Sequence, residues 1–210
     1  MNRVRYLWAF CSVALLFAGA GQAPSQRSSN QQSGPQKDNV SAAEKYFTDV
    51  ALINQKGEQM RLYSDLLKGK VVIINSFFTS CPSVCPPMTA NLAKVQEWLG
   101  DRLGKDVHLI SISVDPATDT PPRLREYAER FKAKDGWHFL TGQKANLDLA
   151  LTKLGQYVNN RDDHLTVIII GNERTGLWKK AFGLARPEEL IKVVESVLSD
   201  PGAPPEKLRS

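Results

Sequence analysis

The residues best suited to chemistry in this 210-residue chain are two thiols four positions apart, in Cys81-Pro-Ser-Val-Cys85-Pro-Pro. They are the only cysteines beyond the first twenty residues, the third being Cys11. A thiolate is both a nucleophile and a soft metal ligand, so the pair can form a disulfide, reduce one, or hold a soft metal ion. In a roughly helical segment the two alpha carbons stand about 6 Å apart, within disulfide range. A purely structural disulfide is a poor explanation, because loop-closure stabilisation shrinks with the loop and this loop is among the smallest. The apolar run 71–78 ends just before the pair and a helix opens just after it. That order predicts both sulfurs at one surface lip, with helix N–H groups lowering both thiol pKa values.

A soft metal wants a third ligand, and there are three histidines. His108 falls inside the apolar run 107–114 and His138 between Trp137 and Phe139, so both read as packed or solvent-facing side chains. His164 follows the loop Asn159-Asn-Arg-Asp-Asp163 and directly precedes the apolar run 165–170, which places it where a central strand begins. Two thiolates and one imidazole suit copper(I) best, with zinc(II) as the second choice.

The elements that must position these groups are legible as periodicities. Residues 51–54 and 59–62 flank Gln55-Lys-Gly57 as a small hairpin, and 64–69 is a short helical turn closed by glycine. A strand is predicted at 71–78, then an amphipathic helix at 87–99 from Met88, Leu92, Val95 and Leu99, with Pro87 at its first position. A second strand at 107–114 leads through Asp115-Pro-Ala-Thr-Asp-Thr120 into a helix facing inward with Leu124, Tyr127, Ala128 and Phe131. Residues 137–140 are extended, and Leu147, Leu151 and Leu154 mark a third helix. The strand 165–170 turns through 171–176 into a partner at 177–182, and Pro187 starts a last helix with Leu190, Val193, Val194 and Val197 inward. Parallel strands with helical crossovers, closed by an antiparallel hairpin, form an α/β thioredoxin-like fold: a central mixed sheet flanked by helices, with an extra N-terminal β-hairpin. The thiols then sit at the end of a central strand, where α/β sheets bind ligands. His164 stands where thioredoxin-like reductases carry a cis-proline.

Residues 1–23 read as a secretory signal or membrane anchor, with Arg3 and Arg5 before an apolar run from Tyr6 to Ala18. That run is short for a spanning helix, which needs about 20 residues, so cleavage is the preferred reading. Residues 24–40 read as a flexible linker, 41–200 as one domain and 201–210 as a disordered tail. The net charge of +5 includes Arg3 and Arg5, and the remaining basic residues are interspersed with acids along helix faces. A solvated surface rather than nucleic-acid binding is expected.

The chain resembles the Sco (SCO/SenC) family. The resemblance rests on Phe78-Thr-Ser-Cys81-Pro-Ser-Val-Cys85-Pro, Ser113-Val-Asp-Pro-Ala-Thr-Asp-Thr120, Leu140-Thr-Gly142, and Asp163-His164 ahead of an apolar strand ending in Ile170-Gly171. It spans about residues 45–198. The resemblance implies a copper chaperone that assists assembly of the dinuclear copper centre of cytochrome c oxidase, exported to the periplasm or anchored to the inner membrane. It implies Cys81, Cys85 and His164 as ligands of copper, as Cu(I) and also Cu(II). The partners implied are the copper-binding subunit of the oxidase or another copper enzyme, and a thiol reductant. The alternative is a periplasmic thiol-disulfide oxidoreductase using Cys81 and Cys85 as a redox pair on a copper-protein client. A thiol peroxidase shares the fold type, but a proline-flanked cysteine pair is not its usual nucleophile site. Two features depart from the family pattern: only six residues separate Tyr157 from His164, and Ser83 stands where an acid is common. Asp115 and Asp119 match the family's acidic block, and the local reading is that Asp119 or Thr120 caps the following helix.

Overall fold

The computed structural model describes residues 42–202, so the expected leader and linker and most of the tail lie outside the described residues. Chain order is α1 (Ala42–Phe47), β1 (Ala51–Asn54), β2 (Gln59–Arg61), β3 (Val71–Phe77), α2 (Cys85–Leu99), β4 (Val107–Ser113), α3 (Pro121–Arg130), β5 (Trp137–Thr141), α4 (Lys144–Lys153), β6 (Val167–Asn172), β7 (Leu177–Phe182) and α5 (Pro187–Leu198). A π-helical turn at Leu62–Leu67 follows β2, and a 3-10 turn at Arg161–Asp163 precedes His164.

All seven strands form one sheet in the order β2-β1-β5-β4-β3-β6-β7. β3, β4 and β5 run parallel, while β6 pairs antiparallel with β3 and the β6–β7 hairpin closes that edge. The N-terminal hairpin closes the opposite edge, β1 pairing antiparallel with β5. This is the expected mixed sheet flanked by helices.

The two faces of the sheet are covered by different elements. β3 and β4 are buried along their whole length, as central strands flanked on both faces must be. One face carries Val71, Ile73 and Phe77 under Met88, Leu92, Val95 and Leu99 of α2, with side chains from α3 and α5 beside them. Val72 and Ile74 point to the other face, under Phe47 of α1, the Leu62–Leu67 turn and α4. Two buried polar residues of the central strands are paired: Ser111 donates to Asn75 Oδ1 at 2.7 Å and accepts from Trp137 Nε1 at 3.0 Å.

Two boundaries differ from the sequence reading. The helix after the thiols begins at Cys85, not Pro87, so both prolines lie in its first turn, where missing N–H groups leave nothing unpaired. The strand expected at 165–170 runs from Val167 to Asn172. Its register decides this: Asn172 and Gly171 pair with Val71 and Val72 on one side and with Leu177 and Trp178 on the other. Gly171 is required there, because a Cβ would lie 2.1 Å from the Trp178 ring that crosses it.

Candidate metal centre

The antiparallel pairing of β3 with β6 creates the site. With Asn75 opposite Ile168, the C-terminal end of β3 and the N-terminal approach to β6 emerge at the same end of the sheet. Cys81 lies in the turn after β3, Cys85 is the first residue of α2, and His164 ends the 3-10 turn before β6. Their ligand atoms all lie within 4.8 Å of one another, the one such three-donor cluster among the described residues.

The sulfur of Cys85 is 3.1 Å from His164 Nε2, and the Cys85 backbone N–H donates to the Cys81 sulfur at 3.4 Å. His164 Nδ1 is 3.1 Å from the Arg161 carbonyl. A carbonyl only accepts, so the assigned tautomer carries its proton on Nδ1 and leaves Nε2 bare towards the thiol. Burial lowers the His164 pKa, which favours that neutral ring. The Phe78 ring meets the imidazole edge-on at 5.1 Å, and the Arg161 guanidinium lies over Phe78 and pairs with Asp115. Side chain and carbonyl of Arg161 therefore act together: one fixes the loop to the β4–α3 connection, the other fixes the ring.

The two thiols are unequal, which corrects the expectation of two lowered pKa values. Burial opposes ionisation of Cys81, but backbone N–H groups of Cys85, Ser83 and Val84 and the Cys85 thiol outweigh it and lower its pKa. Cys85 is fully covered; burial dominates, the Cys81 and Asp119 charges add to it, and its pKa is raised. Nor do the sulfurs stand at an open lip, since Cys81 is 6% exposed, Cys85 0% and His164 8%. The i, i+4 spacing points both sulfurs the same way, and the sheet, Phe78 and α3 then close over them.

The acidic block does not cap the following helix, contrary to its local reading. Thr120 occupies the N-cap of α3 without a side-chain cap bond. Asp119 is 0% exposed and accepts from the Thr79 N–H at 3.1 Å, the Thr79 hydroxyl at 2.5 Å and the Ser113 hydroxyl at 2.5 Å. It thus ties the cysteine turn to the end of β4. Tyr127, which the sequence marks only as a core residue of α3, shares a 3.0 Å hydroxyl contact with Thr89, whose hydroxyl donates to the Cys85 carbonyl. His108 and His138 do not join this cluster and face each other instead, Nδ1 to Nε2 at 3.5 Å.

The donor set fits a soft ion. With metal–sulfur and metal–nitrogen bonds of about 2.3 and 2.0 Å, a three-coordinate site has S–S near 4.0 Å and S–N near 3.7 Å. The cluster spans 3.1 Å to at most 4.8 Å, so opening the thiol–imidazole hydrogen bond by roughly half an ångström makes room. Three convergent donors of this type, two of sulfur and one of nitrogen, match copper(I) better than a hard cation.

The SCO1/SenC family model matches residues 38–199. The SCO1 protein homolog of Bacillus subtilis is 42% identical over 90 residues, a match that covers 42% of this chain and 45% of that relative. The chain thus spans about half the length of that relative. BsSco, a member of the Sco family of cytochrome c oxidase assembly proteins in which a disulfide switch was identified, is similar at 30% identity and a TM-score of 0.59. That likeness covers 70% of this chain and 90% of BsSco. ScoI of Bradyrhizobium japonicum, solved with copper bound, shares 28% identity at a TM-score of 0.58, over 70% of this chain and 96% of ScoI.

Proposed function

From the premise that the chain belongs to the SCO1/SenC family, we propose that it is a copper metallochaperone that carries copper on Cys81, Cys85 and His164. The observation that carries this reading is the bare Nε2 of His164 held 3.1 Å from the Cys85 sulfur by a proton anchored on the Arg161 carbonyl. A dithiol reductant has no use for that third donor. Copper is cargo here: the two thiols lose their protons as the ion enters, and the neutral imidazole joins without losing one. Delivery serves the dinuclear copper centre of cytochrome c oxidase, or another copper enzyme, outside the cytoplasmic membrane, with residues 1–23 exporting or tethering the domain.

A second reading is favoured by the inequality of the thiols. Cys81, the less deeply covered of the two and with its pKa lowered, is a suitable attacking thiolate, and Cys85, buried with its pKa raised, a suitable resolving thiol. Cys81 attacks one sulfur of a client disulfide and releases the other as thiolate. Cys85, losing its proton to solvent, then displaces the client and leaves a Cys81–Cys85 disulfide. Two electrons pass to the client, and a thiol reductant restores the pair. The same oxidation removes both sulfur donors, so redox state gates copper loading.

Copper(I) titration of the reduced protein beside a His164→Ala variant separates the readings. The chaperone reading expects one-to-one binding that weakens sharply in the variant while reduction of a disulfide substrate persists. Binding indifferent to His164, with rapid disulfide reduction, makes the protein a thiol-disulfide oxidoreductase. Equal copper affinity in the oxidised protein overturns the redox gate.

A further inference from the structure

The other two histidines occupy the opposite end of the sheet. β3, β4 and β5 are parallel, so His108 near the start of β4 and His138 near the start of β5 lie away from the cysteine turn that follows β3. In the β4–β5 register His138 pairs with Ile110, two residues along from His108, so the two imidazoles are diagonal neighbours on one face.

Their mutual geometry is specific. His108 Nδ1 and His138 Nε2 are 3.5 Å apart, and the ring centroids are 5.7 Å apart with planes inclined by only 12°. The excess of the second distance over the first is close to twice the distance from an imidazole centre to its ring nitrogen. The two nitrogens therefore lie nearly on the line joining the rings, within both ring planes, and their lone-pair axes point at each other. This is end-to-end opposition, not face-to-face stacking. A separation of 3.5 Å is long for an N–H···N hydrogen bond, which prefers about 2.7–3.2 Å. It is about half an ångström short of the roughly 4.0 Å that two opposed metal–nitrogen bonds of about 2.0 Å require.

We propose that His108 Nδ1 and His138 Nε2 form a second copper(I) site, two-coordinate and linear, at the end of the sheet remote from Cys81, Cys85 and His164. Copper(I) is the ion that fits, because it is content with two collinear imidazoles, whereas zinc completes a tetrahedron. No third His, Cys, Asp or Glu donor joins the pair among the described residues. Both rings are neutral at pH 7, so each offers a lone pair: burial first, and the Lys70 charge second, hold both pKa values down to about 4. Lys70 opposes any cation at the pair and Lys56 adds to it at His138, where Glu58 and Asp135 act against both. His108 is 8% exposed and His138 half-buried, so an ion reaches the pair along the His138 edge. The pair lies outside the chaperone reading and would hold a second copper(I) ion whether or not the cysteine site delivers the first.

The test is anaerobic copper(I) titration against a chromophoric chelator, with X-ray absorption at the copper edge. In the unmutated 210-residue chain the second equivalent should show coordination by two nitrogens and no sulfur. The Cys81→Ser/Cys85→Ser variant should still bind one equivalent, lost on adding His138→Ala and tightened several-fold by adding Lys70→Gln. A double-cysteine variant that binds no copper overturns the proposal, as does binding that His138→Ala leaves unchanged. The unmutated chain is decisive by itself: a second equivalent absent, or ligated by sulfur, also overturns it. Failure of the first, sulfur-ligated equivalent strikes the chaperone reading alone.

Discussion

Copper(I) affinity should fall steeply as the solution is acidified, and the inequality of the thiols sets the slope. Cys85 carries its proton throughout the neutral range, because burial raises its pKa above the ordinary thiol value. Copper must displace that proton, so Cys85 alone makes the association constant rise about tenfold per pH unit. Displacing it at pH 7 costs at least about 2 kcal/mol, taking an ordinary thiol pKa of about 8.5 as the lower bound. Cys81, with its pKa lowered, adds a further contribution between zero and one proton, and His164, neutral above the ordinary imidazole range, adds none. From pH 8 to 6.5 the affinity of the cysteine site should therefore drop between roughly 30-fold and roughly 1000-fold. Competition with a chelator whose own protonation is corrected for reads this directly, and the His138→Ala background keeps the histidine pair out of the measurement. A fall of less than about sixfold over that interval would mean that Cys85 is not a ligand or is already ionised, and the site reading would be refuted.

Four further outcomes are expected. Arg161→Ala removes the Asp115 pair and the cover over Phe78 but keeps the carbonyl that holds the His164 proton, so copper affinity should fall by about tenfold with disulfide reduction retained. Asp119→Asn leaves buried donors from Thr79 and Ser113 facing an amide, and chemical denaturation should show a loss of about 2–4 kcal/mol. Gly171→Ala forces its Cβ against the Trp178 ring and should cost about 1–3 kcal/mol while leaving copper affinity unchanged, since the clash lies at the far end of β6. The copper-free protein should lose stability as pH falls from 6.5 through about 4, because His108 and His138 have lower pKa values folded than unfolded and the unfolded chain takes up the protons. Denaturation midpoints should show a shallower pH dependence in His138→Ala; an unchanged dependence refutes the assignment of that acid loss to the pair.

Much of this is legible without coordinates, for local reasons. Apolar periods of two and near four residues announce strands and helices, and their alternation announces parallel strands with crossovers, so the sheet and its helical layers follow. Two thiols four apart beside a helix start announce sulfur chemistry, because the spacing alone points them the same way. His164 is reachable from its place ahead of an apolar strand.

Tertiary structure decided the rest, and the physical reason is the same each time. Cys85 and His164 are 79 residues apart, Thr79 and Asp119 are 40, and His108 and His138 are 30. Which of these meet depends on strand register and on what packs over each end of the sheet, and no local pattern encodes either. Asp119 resembles a helix cap because its sequence neighbours are a helix start, yet its carboxylate turns inward to Thr79. Both thiols look alike in sequence because spacing carries direction but not depth. Depth buries Cys85 under the sheet and raises its pKa, while backbone N–H groups at the helix start lower that of Cys81, so one sequence motif becomes two chemically distinct sulfurs.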